Sequence, residues 1–300
     1  MASRSMATGV RIGALALASA AALALAGCAN TVSSTELTGF GTAAAALSRQ
    51  TDLNFAEANR VARSAAVDRF VRSGAIGLTE APFAPVVTAG VADEWRTAFS
   101  NLERYGLLLG TLANDNQRKQ TTTAFKDLGV ELNKGVVGAK ISPGVAAGFS
   151  ALAGALVDMQ AQRRAREILQ RTDPQVRALT TAMADAVGAS DTEGLRGTVA
   201  SAWTASGGRN QRAYALAVEG KRDEEARRTI VFDYLGQLDK RQAQLASLAS
   251  LRASLFALAD AHSAAAAGSK RPIGELLAII QARLDEIVAL SKSIEKESAK

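Results

Sequence analysis

Residues Asp223–Ala267 read DEEARRTIVFDYLGQLDKRQAQLASLASLRASLFALADAHSAAAA, the longest uninterrupted stretch of helix-forming sequence in the chain. Val231, Leu238, Leu245 and Ala259 recur at sevenfold spacing, and so do Tyr234, Leu248, Leu255 and His262. That period belongs to a helix burying a seam against other helices; a strand would alternate every second residue. Arg241 and Arg252 interrupt the two rows, so the seam is imperfect. Gly268 stands where a left-handed residue can end the helix.

The texture is the same outside this stretch. Of the 300 residues 63 are alanine and only five are proline. Alanine has the best intrinsic helix propensity, and Leu, Arg, Glu and Gln lose little rotamer freedom in helices. Thr35–Ser73 carries Leu37, Phe40, Ala44, Leu47, Thr51, Phe55, Ala58, Ala62 and Phe70 at three-four spacing, before Gly74, Gly77, Pro82 and Pro85 mark a loop. A second helix is predicted from about Thr88, with Val91, Trp95, Ala98, Leu102, Tyr105, Leu109 and Leu112 on one face. Asn114–Thr123 is polar all round, and Phe125, Leu128 and Leu132 resume the pattern. Ser142-Pro143 and Asp173-Pro174 each pair an N-cap residue with proline at the first helical position, which predicts two helix starts. Gly188 and Asp191 mark a junction, and Gly207-Gly208 a bend. Pro272 opens a last helix in which Ile273, Ile280, Ile287 and Ile294 share one heptad position and Leu277 and Leu284 another. The expected fold is all-α: an elongated antiparallel bundle of five or six coiled-coil-like helices spanning residues 35–300.

The N-terminus has a different character. Arg4 and Arg11 precede an uncharged run from Ile12 to Leu25 that is too short for a comfortable membrane span. Leu25-Ala26-Gly27-Cys28 follows, and Cys28 is the only cysteine, so no disulfide framework is available. This segment resembles the signal peptide and lipobox of bacterial lipoproteins. The resemblance implies that residues 1–27 are removed, that Cys28 carries diacylglycerol and an amino-terminal acyl chain such as palmitate, and that residues 28–34 form a tether. Two or three acyl chains anchor a protein stably, where one binds only reversibly. Ala29 stands where an aspartate would signal inner-membrane retention, so the resemblance implies the outer membrane, periplasmic face.

The formal charge of +6 becomes +4 once Arg4 and Arg11 depart. Such an excess suits anionic lipid or wall polymer, and an exported location argues against nucleic acid. Among candidate chemical groups, His262 is the only histidine; a Ser-His-Asp triad stays open on sequence alone, but a lone His on an alanine-rich helix reads as a packing or surface residue. A His/Cys zinc site lacks the three or four ligands it needs. Asp93-Glu94 and Glu224-Glu225 are adjacent and point to different helix faces, as solvated pairs do. No phosphate-cradling glycine loop is present, so neither cofactor nor metal is expected. Arg163, Arg164, Arg166 and Arg171 read as a solvated basic face, and Trp95 and Trp203 as bundle anchors. Ile141–Met159 places Gly144, Gly148 and Gly154 among apolar residues, which suits a closely packed interior helix or, alternatively, a membrane-active hairpin.

These readings point to a non-enzymatic envelope scaffold or adaptor that binds a protein partner through a helical face. The alternatives are an immunity or inhibitor protein and a wall tether. The last resembles the major cell-wall lipoprotein of enteric bacteria in general plan, with Lys300 available for linkage to peptidoglycan. The heptad of the last helix gives a direct prediction. Ile287→Asp should lower the unfolding midpoint of residues 29–300 by forfeiting about 1.5–3 kcal/mol of burial plus a desolvation cost. Glu286→Asp, one residue away, should change stability by less than about 0.5 kcal/mol in the same thermal melt.

Overall fold

A computed structural model describes residues 34–112, 118–136, 143–157 and 165–268, with single positions between 275 and 292. Among these residues there are seven α-helices and no strand. They are α1 (Ser34–Ser73), α2 (Ala89–Leu112), α3 (Arg118–Val136), α4 (Pro143–Val157), α5 (Ala165–Val187), α6 (Gly194–Glu219) and α7 (Glu224–Ala267). The all-α bundle expected from sequence is thus observed, with more helices than the five or six read from it. Residues 1–33, Ile273, Leu277, Ile280, Leu284, Ile287, Ile294 and Lys300 lie outside the described residues, as does the lipidation position Cys28.

Neighbouring helices follow the order α1, α2, α3, α4, α5, α7, α6 and back to α1, which closes a ring, and α1 also touches α7. The two longest helices run antiparallel, since Phe40 lies against His262 while Asn54 accepts a hydrogen bond from Ser247. At 1.5 Å per residue α7 is about 66 Å long. Asp223 caps its first turn by accepting from the Ala226 amide at 2.8 Å, and Gly268 closes it at φ 65°.

α1 and α2 form the closest pair. Their antiparallel register is fixed by Phe55 edge-on to Trp95, by Arg96 paired with Asp52 at 2.8 Å, and by Asn59, whose amide clamps both backbone groups of Val87. Glycines let the backbones meet. A Cβ on Gly106 would stand 2.5 Å from the Gly41 nitrogen, and one on Gly110 would stand 2.4 Å from Thr38 Oγ1. α4 uses the same device: Gly148 approaches the backbone of Leu179 on α5. Val145, Leu152, Ala153 and Leu156 of α4 are buried. The apolar segment around residues 143–157 therefore spends one face on the bundle, and no described helix is long and apolar enough to cross a membrane.

Two expected interruptions are absent. Asp173-Pro174 does not start a helix, because α5 runs through it from Ala165 to Val187. Proline there removes one backbone hydrogen bond and crowds the carbonyl four residues back, an effect of about 3 kcal/mol in an isolated helix. The buried row Ile168, Leu169, Thr172, Val176, Leu179 and Met183 continues across it and offsets that cost by packing on α7 and α4. Likewise Gly207-Gly208 produces no bend, since α6 passes through it against α7.

The glycine contacts predict opposite effects for one substitution. Gly106→Ala should destabilise the fold by about 1–3 kcal/mol through overpacking. Gly236→Ala, where a Cβ meets nothing within 4 Å, should stabilise α7 by about 0.5–1 kcal/mol. Urea midpoints of the two variants against the parent check both signs.

Candidate functional site

Two features stand out from an otherwise apolar bundle: a buried relay centred on His262, and an arm formed by the far ends of α6 and α7.

The relay joins three helices. His262 on α7 is 1% exposed, and its Nδ1 lies 2.9 Å from Asp173 Oδ1 on α5. Its Nε2 lies 2.9 Å from the Tyr105 hydroxyl on α2, which in turn sits 2.5 Å from Thr172 Oγ1. Ser263 donates to the same Asp173 oxygen at 2.7 Å, and Arg177 reaches Asp260 and Ser263 beside it. Phe40 on α1 packs edge-on against both the tyrosine and the imidazole. The void beside the ring is about 10 Å³, at the lower limit for one water.

Burial pushes the imidazole below its ordinary pKa, against the opposing pull of Asp173. The hydrogen bond from His262 holds the Asp173 carboxyl below its usual range. Burial drives the Tyr105 phenol far above its own, so it stays neutral. An ionised Asp173 then accepts a hydrogen bond from the Nδ1–H of a neutral imidazole. Nε2 accepts from Tyr105, whose oxygen accepts from Thr172. Adding a proton to Nε2 reverses the chain: His262 donates to Tyr105, Tyr105 to Thr172, and Thr172 to the Ile168 carbonyl at 2.8 Å. Both states leave every relay member satisfied. With Tyr105, Thr172 and His262 closed to solvent, the arrangement clamps α2, α5 and α7 together. Sequence reading marked His262 as a packing or surface residue and missed its partners, which lie 89 and 157 positions away.

The other sequence candidates are scattered. Trp95 and Trp203 are buried anchors, the latter donating from Nε1 to Gln244 at 2.6 Å. Asp93 pairs with Arg96, and Glu224 and Glu225 with Arg228, all in solvent. Arg166 donates to the Ala267 carbonyl at the C-terminal end of α7, where a cation is favourable. Arg171 is half-buried, and Arg163 and Arg164 lie outside the described residues. Among the described residues no group of three His, Cys, Asp or Glu side chains is placed to hold a metal.

The arm comprises the second half of α6 and the first half of α7. Between Gln211 and Arg241 only Ala217 is buried. Tyr214, Leu216, Val218, Val231, Phe232, Leu235 and Leu238 all face solvent, Leu216 at 67% and Phe232 at 63%. The same end of the molecule carries Val67 and Val71 of α1, with Ile76 and Leu78 exposed in the loop that follows. An open cleft of about 930 Å³ lies there between Arg63 and the loop residues Leu78, Phe83 and Pro85. Asp68 pairs with Arg209 across α1 and α6, which places these features together and away from Ser34, beside Gly110 at the opposite end.

No protein-family model, curated protein or solved structure matches the chain.

The relay predicts an acid-sensitive fold. A base with a depressed folded pKa contributes stability that is complete above its unfolded value and is lost as pH falls through the window near 6.5. Asp173, also depressed, loses its contribution only as pH falls below the carboxylate range. The unfolding midpoint should therefore fall between pH 7.5 and about 5.5. His262→Gln should be less stable at pH 7.5 by about 1–3 kcal/mol and flat across that window. Thermal melts at half-unit pH steps check the difference.

Proposed function

We propose that this chain is an envelope lipoprotein, held on a membrane by acyl groups on Cys28, that acts as a non-enzymatic scaffold. The observation that carries the reading is the distribution of uncovered apolar side chains. A soluble protein seldom exposes a large contiguous apolar patch without a use for it, and here such residues gather on the arm and the adjoining loop. They lie at the end of the bundle away from Ser34, the first described residue after the lipobox segment. An anchor at one end and a binding face about 60 Å away, by the length of α1, suit a protein that presents a surface at a distance from its membrane. The fit of Leu25-Ala26-Gly27-Cys28 to a lipobox supports the anchor, and Ala29 supports the outer membrane. The rigid clamp at His262 supports a load-bearing rather than a catalytic body.

Replacing Cys28 by Ser should leave an uncleaved precursor that takes up no labelled palmitate. Leu216→Glu combined with Phe232→Glu should shift the unfolding midpoint little, by less than about 0.5 kcal/mol per site, yet abolish the crosslinks that the parent forms in intact cells. Acyl label on Cys28→Ser would sink the anchor. Unchanged crosslinks in the double variant would sink the arm as the binding face.

A further inference from the structure

We propose that the cleft between α1, α6 and α7 beside Trp203 is a binding site for a phosphate group. Each helix gives it a polar pair about one turn apart, hence on one face: Arg60 and Ser64 of α1, Ser206 and Arg209 of α6, Gln237 and Lys240 of α7. The space between them is about 140 Å³, room for one tetrahedral oxyanion or a few waters. Val61 and Trp203, both buried, form an apolar wall. Such a wall lowers the local dielectric and strengthens the pull of the cations on an anion.

Charge favours an anionic ligand. Two carboxylates stand near the three cations. Glu57 holds Arg60 through both oxygens, whereas Asp68 stays 3.7 Å from Arg209, beyond hydrogen-bond reach. Lys240 has no acidic partner among the described residues. One positive charge is left over, and the Arg209 donors remain open to a ligand.

The hydroxyl of Ser206 points to the same use. Thr198 and Thr204 on the same helix return their hydroxyls to carbonyls one turn back, at 3.1 and 3.0 Å. Ser206 does not. It is 4% exposed, lines the cleft and makes no hydrogen bond to any described residue. The Gln237 amide also lacks a partner, with its Oε1 closed to solvent. Buried polar groups left unpaired cost stability, so a ligand that pairs them gains more than a surface contact would.

The number of donors selects phosphate over carboxylate. Two guanidinium groups, an ammonium, two hydroxyls and an amide converge here. A carboxylate brings two oxygens and a single charge, while a phosphate monoester brings three acceptor oxygens and nearly twice the charge. Guanidinium forks match phosphate oxygens, and lysine adds a point charge. Free phosphate and a phospholipid headgroup share this chemistry.

Calorimetric titration of the full-length chain in neutral detergent, at fixed ionic strength, tests the site with two probes. These are inorganic phosphate and dihexanoyl phosphatidic acid below its micelle concentration. One or both should bind saturably, one per chain, with half-saturation below about 1 mM, and acetate should not. Lys240→Gln should weaken binding about tenfold and Ser206→Ala about fivefold, with the helical circular dichroism signal of the parent. Arg222→Gln makes the same charge change in an exposed turn outside the cleft and should leave the affinity unchanged. Tighter binding of the lipid than of phosphate assigns the site to a headgroup; equal or weaker binding assigns it to soluble phosphate. Absence of saturable binding by both probes, acetate bound as tightly, Lys240→Gln and Ser206→Ala titrating like the parent, or an equal loss in Arg222→Gln would each overturn the site.

Discussion

The bundle depends on helices coming close enough for backbone to touch backbone. Alanine and glycine offer little apolar area, so a chain built from them gains cohesion by dispersion only when neighbouring helices approach nearer than larger side chains would allow. Gly41, Gly106 and Gly110 supply that approach between α1 and α2, and Gly148 between α4 and α5. Large side chains are few and gather at separate levels of the bundle. Phe55, Trp95 and Phe99 fill one level of the α1–α2 pair. Phe40, Tyr105 and Phe125 fill another, against His262.

This economy explains the polar groups inside. Between thin helices a hydroxyl or amide is seldom far from a partner, and Thr51 and Thr180 return their hydroxyl hydrogens to carbonyls of their own helices. The relay at His262 goes further and links α2, α5 and α7. Ser247 with Asn54, and Trp203 with Gln244, do the same for α7 with α1 and α6. Each such contact fixes how far one helix slides along another, because an unpaired buried group costs more than a paired one gains. Apolar alanine faces slide with little change in energy, so register rests on the polar contacts and the glycine notches.

The same physics accounts for the arm. A helix hairpin has two broad sides, and in the body both are covered, one by α1 and the other by α5. Where α5 turns back at Gly188, one side of α6 and α7 goes on without a neighbour although its sequence keeps the apolar spacing. The uncovered surface is continuous with the core and has its chemistry.

How much was legible beforehand follows from the range of each interaction. The ends of α1 and α7, the left-handed Gly268 and the buried faces of α1 and α2 all depend on hydrogen bonds and spacings within a few residues, and the sequence determined them. So did the apolar stripe of Val231 and Leu238, as a stripe. Its periodicity carried no word on whether α5 would reach that far. Pro174 and Gly207-Gly208 read as breaks because local propensity favours breaks; packing along α5 and α6 overrode it. His262 looked solitary because Asp173 and Tyr105 stand on other helices, far away in the chain. Local backbone geometry is written in neighbouring residues. Partners, register and the point where cover runs out come only from the assembled helices, since they depend on distances between residues that the sequence does not order side by side.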